Sequence, residues 1–362
     1  MLQGLKEEFK MIDWTSSMNQ TFEYYIVDPS TWKDKNRVKN VRSCSISRET
    51  DSDTLGSATF DVVESLGECY IRTYLIATQD KETAKIPLGT HIVQTPSKSF
   101  DGKLSTTSLD AFTPLIELKE NRPSLGYFIA KNSNIMDMGY RLCVENMRAP
   151  VVKTPSSLTL NSDFVSNTDD TWITFISDLI ANAKYSLALD EMGRVLFSPI
   201  QELDSLQPVW TYNDDNSSIL LPEISMNHDL YGMPNVVEVI YSDGYGSRYA
   251  KAVNDDPNSP LSTINRGRVI TQRITSPSFT GIPTDKQLEE YAEQSLKEFS
   301  SVEYTISYSH GYCPVRVGDC VRLNYKRAGF TNIKAKVISQ NIKCESGVTV
   351  SERAIFTRRL WG

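Results

Sequence analysis

Apolar and polar residues alternate through the first third of the chain. Thr21–Val27 is rich in aromatic and β-branched residues, and Val41-Arg42-Ser43-Cys44-Ser45-Ile46-Ser47 repeats with the period of two that a half-buried strand requires. Ala58–Val62 and Ile71–Ile76 follow at short spacing. Thr90–Gln94 and Leu104–Leu109 flank Asp101-Gly102, a dipeptide suited to the positive φ of tight hairpin turns. Short strands at this spacing predict a small barrel or sandwich.

After Pro114 the period lengthens. Ser133 is placed to cap a helix with Ile135, Met138, Leu142 and Cys143 on one stripe, ending before Pro150. A clearer helix follows Thr168-Asp169-Asp170, with Trp172, Phe175, Ile176, Leu179, Ile180 and Ala183 at helical spacing. Leu187–Phe197 then reads as a hairpin ending at Pro199. Strands return at Ile219–Leu221 and Asn235–Tyr241, and Asn254-Asp255-Asp256-Pro257-Asn258-Ser259-Pro260 is a loop by composition. A helix over 285–299 carries Leu288, Tyr291, Ala292, Leu296 and Phe299, with Asp285 and Glu289 near its positive end. Residues 302–358 are strand-rich, with Gly318-Asp319 as a turn. The pattern predicts an α+β, mainly β chain in four parts: an N-terminal arm (1–20), a β domain (21–114), an inserted α+β domain (115–200) and a second β domain (201–362). A loop and a helix interrupt the last of these over about 245–300.

Composition narrows the function. With 362 residues, 40% of them hydrophobic, the chain can build two or three real cores. The net charge of -7 argues against a nucleic-acid coat. The charge is uneven: residues 300–362 sum to +6, leaving -13 for residues 1–299. The basic segment is either a set of ordinary solvated strand faces or a docking surface for an acidic partner or a neighbouring copy. Arg316, Arg322, Arg358 and Arg359 are its candidate docking residues. No apolar run reaches the ~20 residues that span a bilayer, and Met1–Glu8 lacks the basic and apolar regions of a signal peptide. The expectation is cytosolic synthesis without membrane insertion.

Catalytic signatures are missing. There is no GxSxG, P-loop, GxGxxG, HExxH or EF-hand loop, and Gly244-Tyr245-Gly246 reads as a hairpin turn. The six cysteines, none spaced as CxxC, are expected to be reduced core thiols. His91, His228 and His310 lie far apart, so no metal centre and no cofactor is expected. Asp51/Asp53, Asp214/Asp215 and Asp255/Asp256 are the carboxylate pairs a glycan hydrolase would need, but each sits in a loop-like stretch. Asp170-Thr171-Trp172 reads as a helix start, and His310-Gly311-Tyr312-Cys313 puts a thiol near an imidazole without requiring the two to meet.

Several segments resemble a known family. Ile86-Pro87-Leu88-Gly89-Thr90-His91-Ile92-Val93 running through Asp101-Gly102 to Asp110 and Leu115 is similar to the end of the first barrel in phage tail hub proteins, a "PLG-T" strand followed by a "D-x-x-x-x-L" exit. Thr171–Phe175 with Asp190-Glu191-Met192-Gly193-Arg194-Val195-Leu196-Phe197 resembles that family's helix and "D-x-x-G-x-(L/F)" hairpin. Val236–Val239, Asn254–Pro260 and Gly267-Arg268 resemble its "N-x-x-P-x-S-P" loop with the following glycine, and residues 331–358 its closing hairpin.

The resemblance covers most of residues 20–360 and points to the baseplate or tail-tip hubs of contractile tails, the late-control protein D group. It implies two tube-like β-barrel domains in one chain and a homotrimer whose six barrels form a pseudo-hexameric ring. That ring would join a sixfold tail tube to a threefold central spike. The implied partners are the tube or its initiator, the spike, the baseplate wedges and the tape-measure protein. The implied location is the virion tail after synthesis in the bacterial cytoplasm, with no catalysis. The acidic bulk would suit a lumen through which DNA slides. Two other classes stay open: a tail-associated cell-wall glycan hydrolase, and an envelope carbohydrate- or receptor-binding β module.

Overall fold

The structure, a computed structural model, describes residues 12–63, 66–100, 102–103, 105–242, 246–279 and 281–362. The chain opens with strands β1 (Asn19–Val27), β2 (Asp34–Arg37), β3 (Val41–Glu49), β4 (Gly56–Val62), β5 (Tyr70–Gln79), β6 (Glu82–Phe100) and β7 (Ser105–Phe112). Helix α1 (Ile116–Glu120), β8 (Phe128–Ile129), α2 (Ile135–Asn146), β9 (Phe164–Val165), α3 (Trp172–Ala181), β10 (Tyr185–Leu189) and β11 (Val195–Pro199) follow. Then come β12 (Trp210–Asn213), β13 (Leu220–His228), β14 (Val236–Ser242), β15 (Ser247–Val253), α4 (Thr263–Arg266), β16 (Thr271–Ile274) and α5 (Asp285–Phe299). The chain closes with β17 (Ser301–Gly311), β18 (Cys320–Asn324), β19 (Ile333–Lys343) and β20 (Thr349–Arg359). It is α+β and mainly β, and it divides into two compact units: residues 1–224 with 307–354, and residues 225–306 with 355–362.

One thirteen-stranded sheet, most of whose residues belong to the first unit, has the order β2-β1-β5-β6-β7-β4-β3-β19-β20-β17-β13; β18 also pairs with β19, and β12 with β18. The alternation seen in β3 is the physical cause of its place: Cys44 and Ile46 point inward and are buried, while the serines and Arg42 point out. The β strands of the two ends of the chain join directly, since β3 pairs antiparallel with β19 from Ser45↔Lys343 to Glu49↔Ser339. Among the described residues the path of pairings is open, ending at β2 and β13. Arg72, 1% exposed, ties the sheet to the β10–β11 hairpin. Its guanidinium meets Asp34 at 2.7 Å and donates to the carbonyls of Trp32 and Met192.

Helices α1–α3 and the β10–β11 hairpin share a second core in this unit, centred on Leu142, Phe175, Ile176, Leu179 and Val195. Thr171 caps α3 and closes a capping box with Thr174, as the sequence predicts for a helix start there. The cap of α2 is a correction: Asn134, not Ser133, accepts from the Asp137 amide at 2.9 Å. Its carbonyl oxygen sits one residue closer to the third helical amide. α1 is not foreseen in the sequence, because five residues are too few to show a helical period. Of the N-terminal segment, residues 1–11 lie outside the described residues; Ile12 and Trp14 are buried, with the Trp14 ring edge-on to Tyr312 at 5.2 Å. Asp101 and Leu104 also lie outside them, as do Gly244 and Tyr245; Gly102 has the expected positive φ, +92°.

The second unit is a three-stranded sheet, β15-β14-β16, covered on one face by α5. Val237, Val239, Ala250 and Ala252 meet Leu288, Ala292 and Leu296. Phe299, expected on that buried face, is 38% exposed at the last residue of α5. A second cluster joins Leu261, Val302 and Tyr304, with Tyr304 stacked on Phe356 at 5.1 Å. The loop 254–262 is tied by its own side chains: Asn254 donates to Ser259 Oγ at 2.9 Å, and Asn265 donates to the carbonyls of Pro257 and Ser259.

Candidate functional site

The four candidate arginines fall in different settings. Arg322 stands on the solvent face of β18, while Val321 and Leu323 alternate inward and are fully buried. Its cross-strand neighbour on β19 is Lys334, and its neighbour on β12 is Thr211. One pleat further, Lys336 stands opposite Cys320. No ion pair reaches Arg322, Lys334 or Lys336 among the described residues; Lys334 donates to the Asp204 carbonyl at 3.0 Å. Arg316 is turned inward, its guanidinium forked onto the buried Glu191 carboxylate. Arg358 and Arg359 are exposed at the end of β20 in the second unit. The structure thus brings Arg322 together with two lysines that sequence reasoning did not single out. Their signal was present: Lys334 and Lys336 alternate with the buried Ala335 and Val337.

Arg316 and Lys336 also line a cleft of about 490 Å³ in the first unit, with Arg48, His91, Glu191 and Asp319. Every acid in it is engaged. Glu191 holds Arg316, Glu49 accepts from the Ser47 hydroxyl at 3.1 Å, Asp190 accepts from the Arg194 amide at 2.9 Å and from its guanidinium, and Asp319 accepts from the Arg316 amide at 2.9 Å. Burial nevertheless raises the Asp319 carboxyl above its ordinary value. Burial, helped by Arg48, pulls the His91 imidazole down to about 3, so the ring is neutral. Its Nδ1 has no hydrogen-bond partner among the described residues. Gly89 is required here, because a Cβ would come within 2.6 Å of the His91 ring.

Deeper in the same unit lies a buried charged network. His310 is on β17 and Glu352 on β20, both on the inward register: Tyr308 and His310 on one strand, Val350, Glu352 and Ala354 on the other. His310 Nε2 is 3.3 Å from a Glu352 carboxylate oxygen, and its Nδ1 donates to the Gly311 carbonyl at 2.5 Å. Tyr308 donates to Glu352 at 2.7 Å, Gln340 donates to it at 2.5 Å, and Arg48 donates to Gln340 at 3.1 Å. Tyr212 Oη lies 3.0 Å from His310 Nε2 and 3.3 Å from Glu352. Burial opposes both charges. The Glu352 carboxylate still raises His310 to about 10, and the imidazolium with Tyr308 and Gln340 holds Glu352 below its ordinary value. The pair is therefore ionised, with each hydrogen-bonding position used. Cys313 and His310 do meet, Sγ to Nδ1 at 3.8 Å, but inside this network, where Cys313 is 2% exposed.

The carboxylate pairs act as local ties. Asp53 meets Lys119 at 3.0 Å, Asp214 pairs with Arg327, Asp215 accepts from Ser217, and Asp256 accepts from the Asn258 amide at 2.8 Å. Asp170 accepts from the Asn167 amide ahead of the α3 cap. All six cysteines are free, and five are buried. Among the described residues no group of three His, Cys, Asp or Glu side chains is placed to hold a metal ion. None of their helices is long and apolar enough to cross a membrane.

No known family's sequence profile matches the chain, and no curated protein matches it by sequence. Solved structures match it in fold. A tail protein from Neisseria meningitidis MC58 superposes with a TM-score of 0.59 at 14% identity, over 94% of this chain and 98% of that one. The 43 kDa tail protein of prophage MuSo2 from Shewanella oneidensis gives 0.60 at 10% identity, over 92% and 98%. A chain of the half-lidded Francisella PdpA–VgrG complex gives 0.56 at 10% identity, over 98% of this chain and 61% of that one. The fold of this chain is thus that of tail proteins, end to end.

Proposed function

We propose that this chain is the structural hub of a phage tail or phage-tail-like particle, a homotrimeric, pseudo-hexameric adaptor between a sixfold tube and a threefold central spike. The observation that carries the reading is the end-to-end likeness of fold to two tail proteins, whose chains are each covered to 98%. The order of the hub-like motifs from Ile86 to Gly267 supports it independently. In this reading residues 21–114 and 201–362 supply the tube-like domains and residues 115–200 the insert between them. The tube or its initiator, the spike, the wedges and the tape-measure protein are the partners, and the virion tail is the location.

The role is one of interfaces and not of turnover. Three buried charged groups of the first unit are held in internal ties: Arg316 on Glu191, Arg72 on Asp34 and His310 on Glu352. Such groups stiffen a subunit that must hold its shape under load. Inactivating the coding gene in the producing strain tests the reading. Particles are expected to lack assembled tails by electron microscopy, with complementation restoring them. Intact tails without the protein would overturn it.

A further inference from the structure

We infer that the β12–β18–β19 face of the first unit is the surface through which one copy of this chain grips an acidic surface of the next. The inference rests on the hub reading for the presence of neighbouring copies.

Three observations meet on this face. The first is charge. Thr211, Arg322 and Lys334 form a row across three adjacent strands, with Lys336 one pleat away. Like charges directly opposite each other on a sheet repel, and no carboxylate within ion-pair distance relieves them among the described residues. The second is apolar exposure. Val209, whose amide donates to the Cys320 carbonyl at 2.8 Å, leads into β12 and is 53% exposed. The third is an edge. Among the described residues β12 pairs with β18 alone, in parallel, which leaves its other side as a sheet edge. The edge at β2 is guarded differently. There Asp34 and Arg37 are each bound by a neighbour, Arg72 and Glu23. Arginine beside exposed apolar surface, next to an open edge, has the composition of an interface.

Charge also selects the occupant. A surface with three unpaired cations needs an acidic counterpart, and residues 1–299 of the chain itself carry -13. A basic patch cannot pair with its own copy, so the contact is heterologous, basic face to acidic face. Heterologous contacts that close make rings and not twofold dimers.

Sedimentation velocity of the full-length protein tests this at about 0.1 M and about 1 M salt, where screening lengths are roughly 10 Å and 3 Å. Wild type is expected to associate into a ring-sized species at low salt, with association weakened at least about tenfold at high salt. R322E/K334E should sediment as a monomer at both. R322Q/K334Q, which adds no new charge, should associate at least about tenfold more weakly than wild type. K251E, a reversal in the second unit, should leave association unchanged. Thermal unfolding of each variant separates lost association from lost fold. A wild type that stays monomeric at low salt, or folded R322Q/K334Q that associates like wild type, overturns the inference. The hub reading fails separately: intact tails after gene inactivation would sink it even if this association is salt-sensitive and lost in R322E/K334E.

Discussion

Two charged regions of the same unit are handled in opposite ways. His310 and Glu352 are wholly buried, and every polar atom around them is matched by Tyr212, Tyr308, Gln340 or a backbone carbonyl. Arg322, Lys334 and Lys336 are ranged beside one another on the outside with no counter-ion among the described residues. The first arrangement fixes the strands β17 and β20 in one register, because slipping either by one residue would strand a charge in the core. The second adds one tie within the chain, from Lys334 to the Asp204 carbonyl, and leaves its positive charge unbalanced. Charge that is matched internally is architecture; charge left unmatched at a surface is available for a partner.

The largest effect is expected from breaking the matched set. Glu352→Gln leaves His310 and two tyrosines facing a neutral amide and should cost about 3–5 kcal/mol in chemical denaturation. Removing both partners in H310Q/E352Q should cost less than the two single changes added together. Additive losses would show that the two residues do not act as a pair.

Next comes pH. The folded His310 value is raised from an ordinary 6.5 to about 10. Its stabilisation is therefore fully present below pH 6.5 and lost as pH rises through about 10. Glu352 is held low, so its share is present above its ordinary value and lost as pH falls. Unfolding midpoints measured across this range should decline on the alkaline side in wild type and stay flatter in His310→Gln. Equal alkaline slopes would place the titration elsewhere.

A smaller effect belongs to the helix caps. Thr171→Ala and Thr284→Ala each open a capping box and should cost about 1 kcal/mol, measured by urea denaturation. The smallest belongs to the exposed stripe. Arg322→Glu should leave the unfolding midpoint unchanged or slightly raised, since it places opposite charges across β18 and β19. A marked fall in midpoint would mean that Arg322 is architecture after all, and the contrast between the two regions would collapse.

Much of the local structure was written in the residue pattern. The alternation in β3, the helical stripe of α3 and the Gly193 turn between β10 and β11 all follow from periods and turn chemistry over a few residues. What escaped depends on distance along the chain. The pairing of β3 with β19 joins residues near 45 to residues near 343, and no local period carries that information. For the same reason Arg316 was a docking candidate in the sequence but is held by Glu191, 125 residues away. His310 and Glu352 were legible in principle. Each sits on the inward register of a strand whose other inward residues are apolar or aromatic, and a charge in that register needs a partner. Lys334 and Lys336 were legible by the same alternation; that they stand beside Arg322 was not, because this depends on the register between β18 and β19.

The central claim is that this chain is a ring subunit at one place in the particle. Quantitative mass spectrometry of purified intact tails, with the tube subunit as the internal standard, measures its copy number directly. The account requires three copies per tail. A copy number that scales with tube length, or the absence of the protein from the tails, would contradict it.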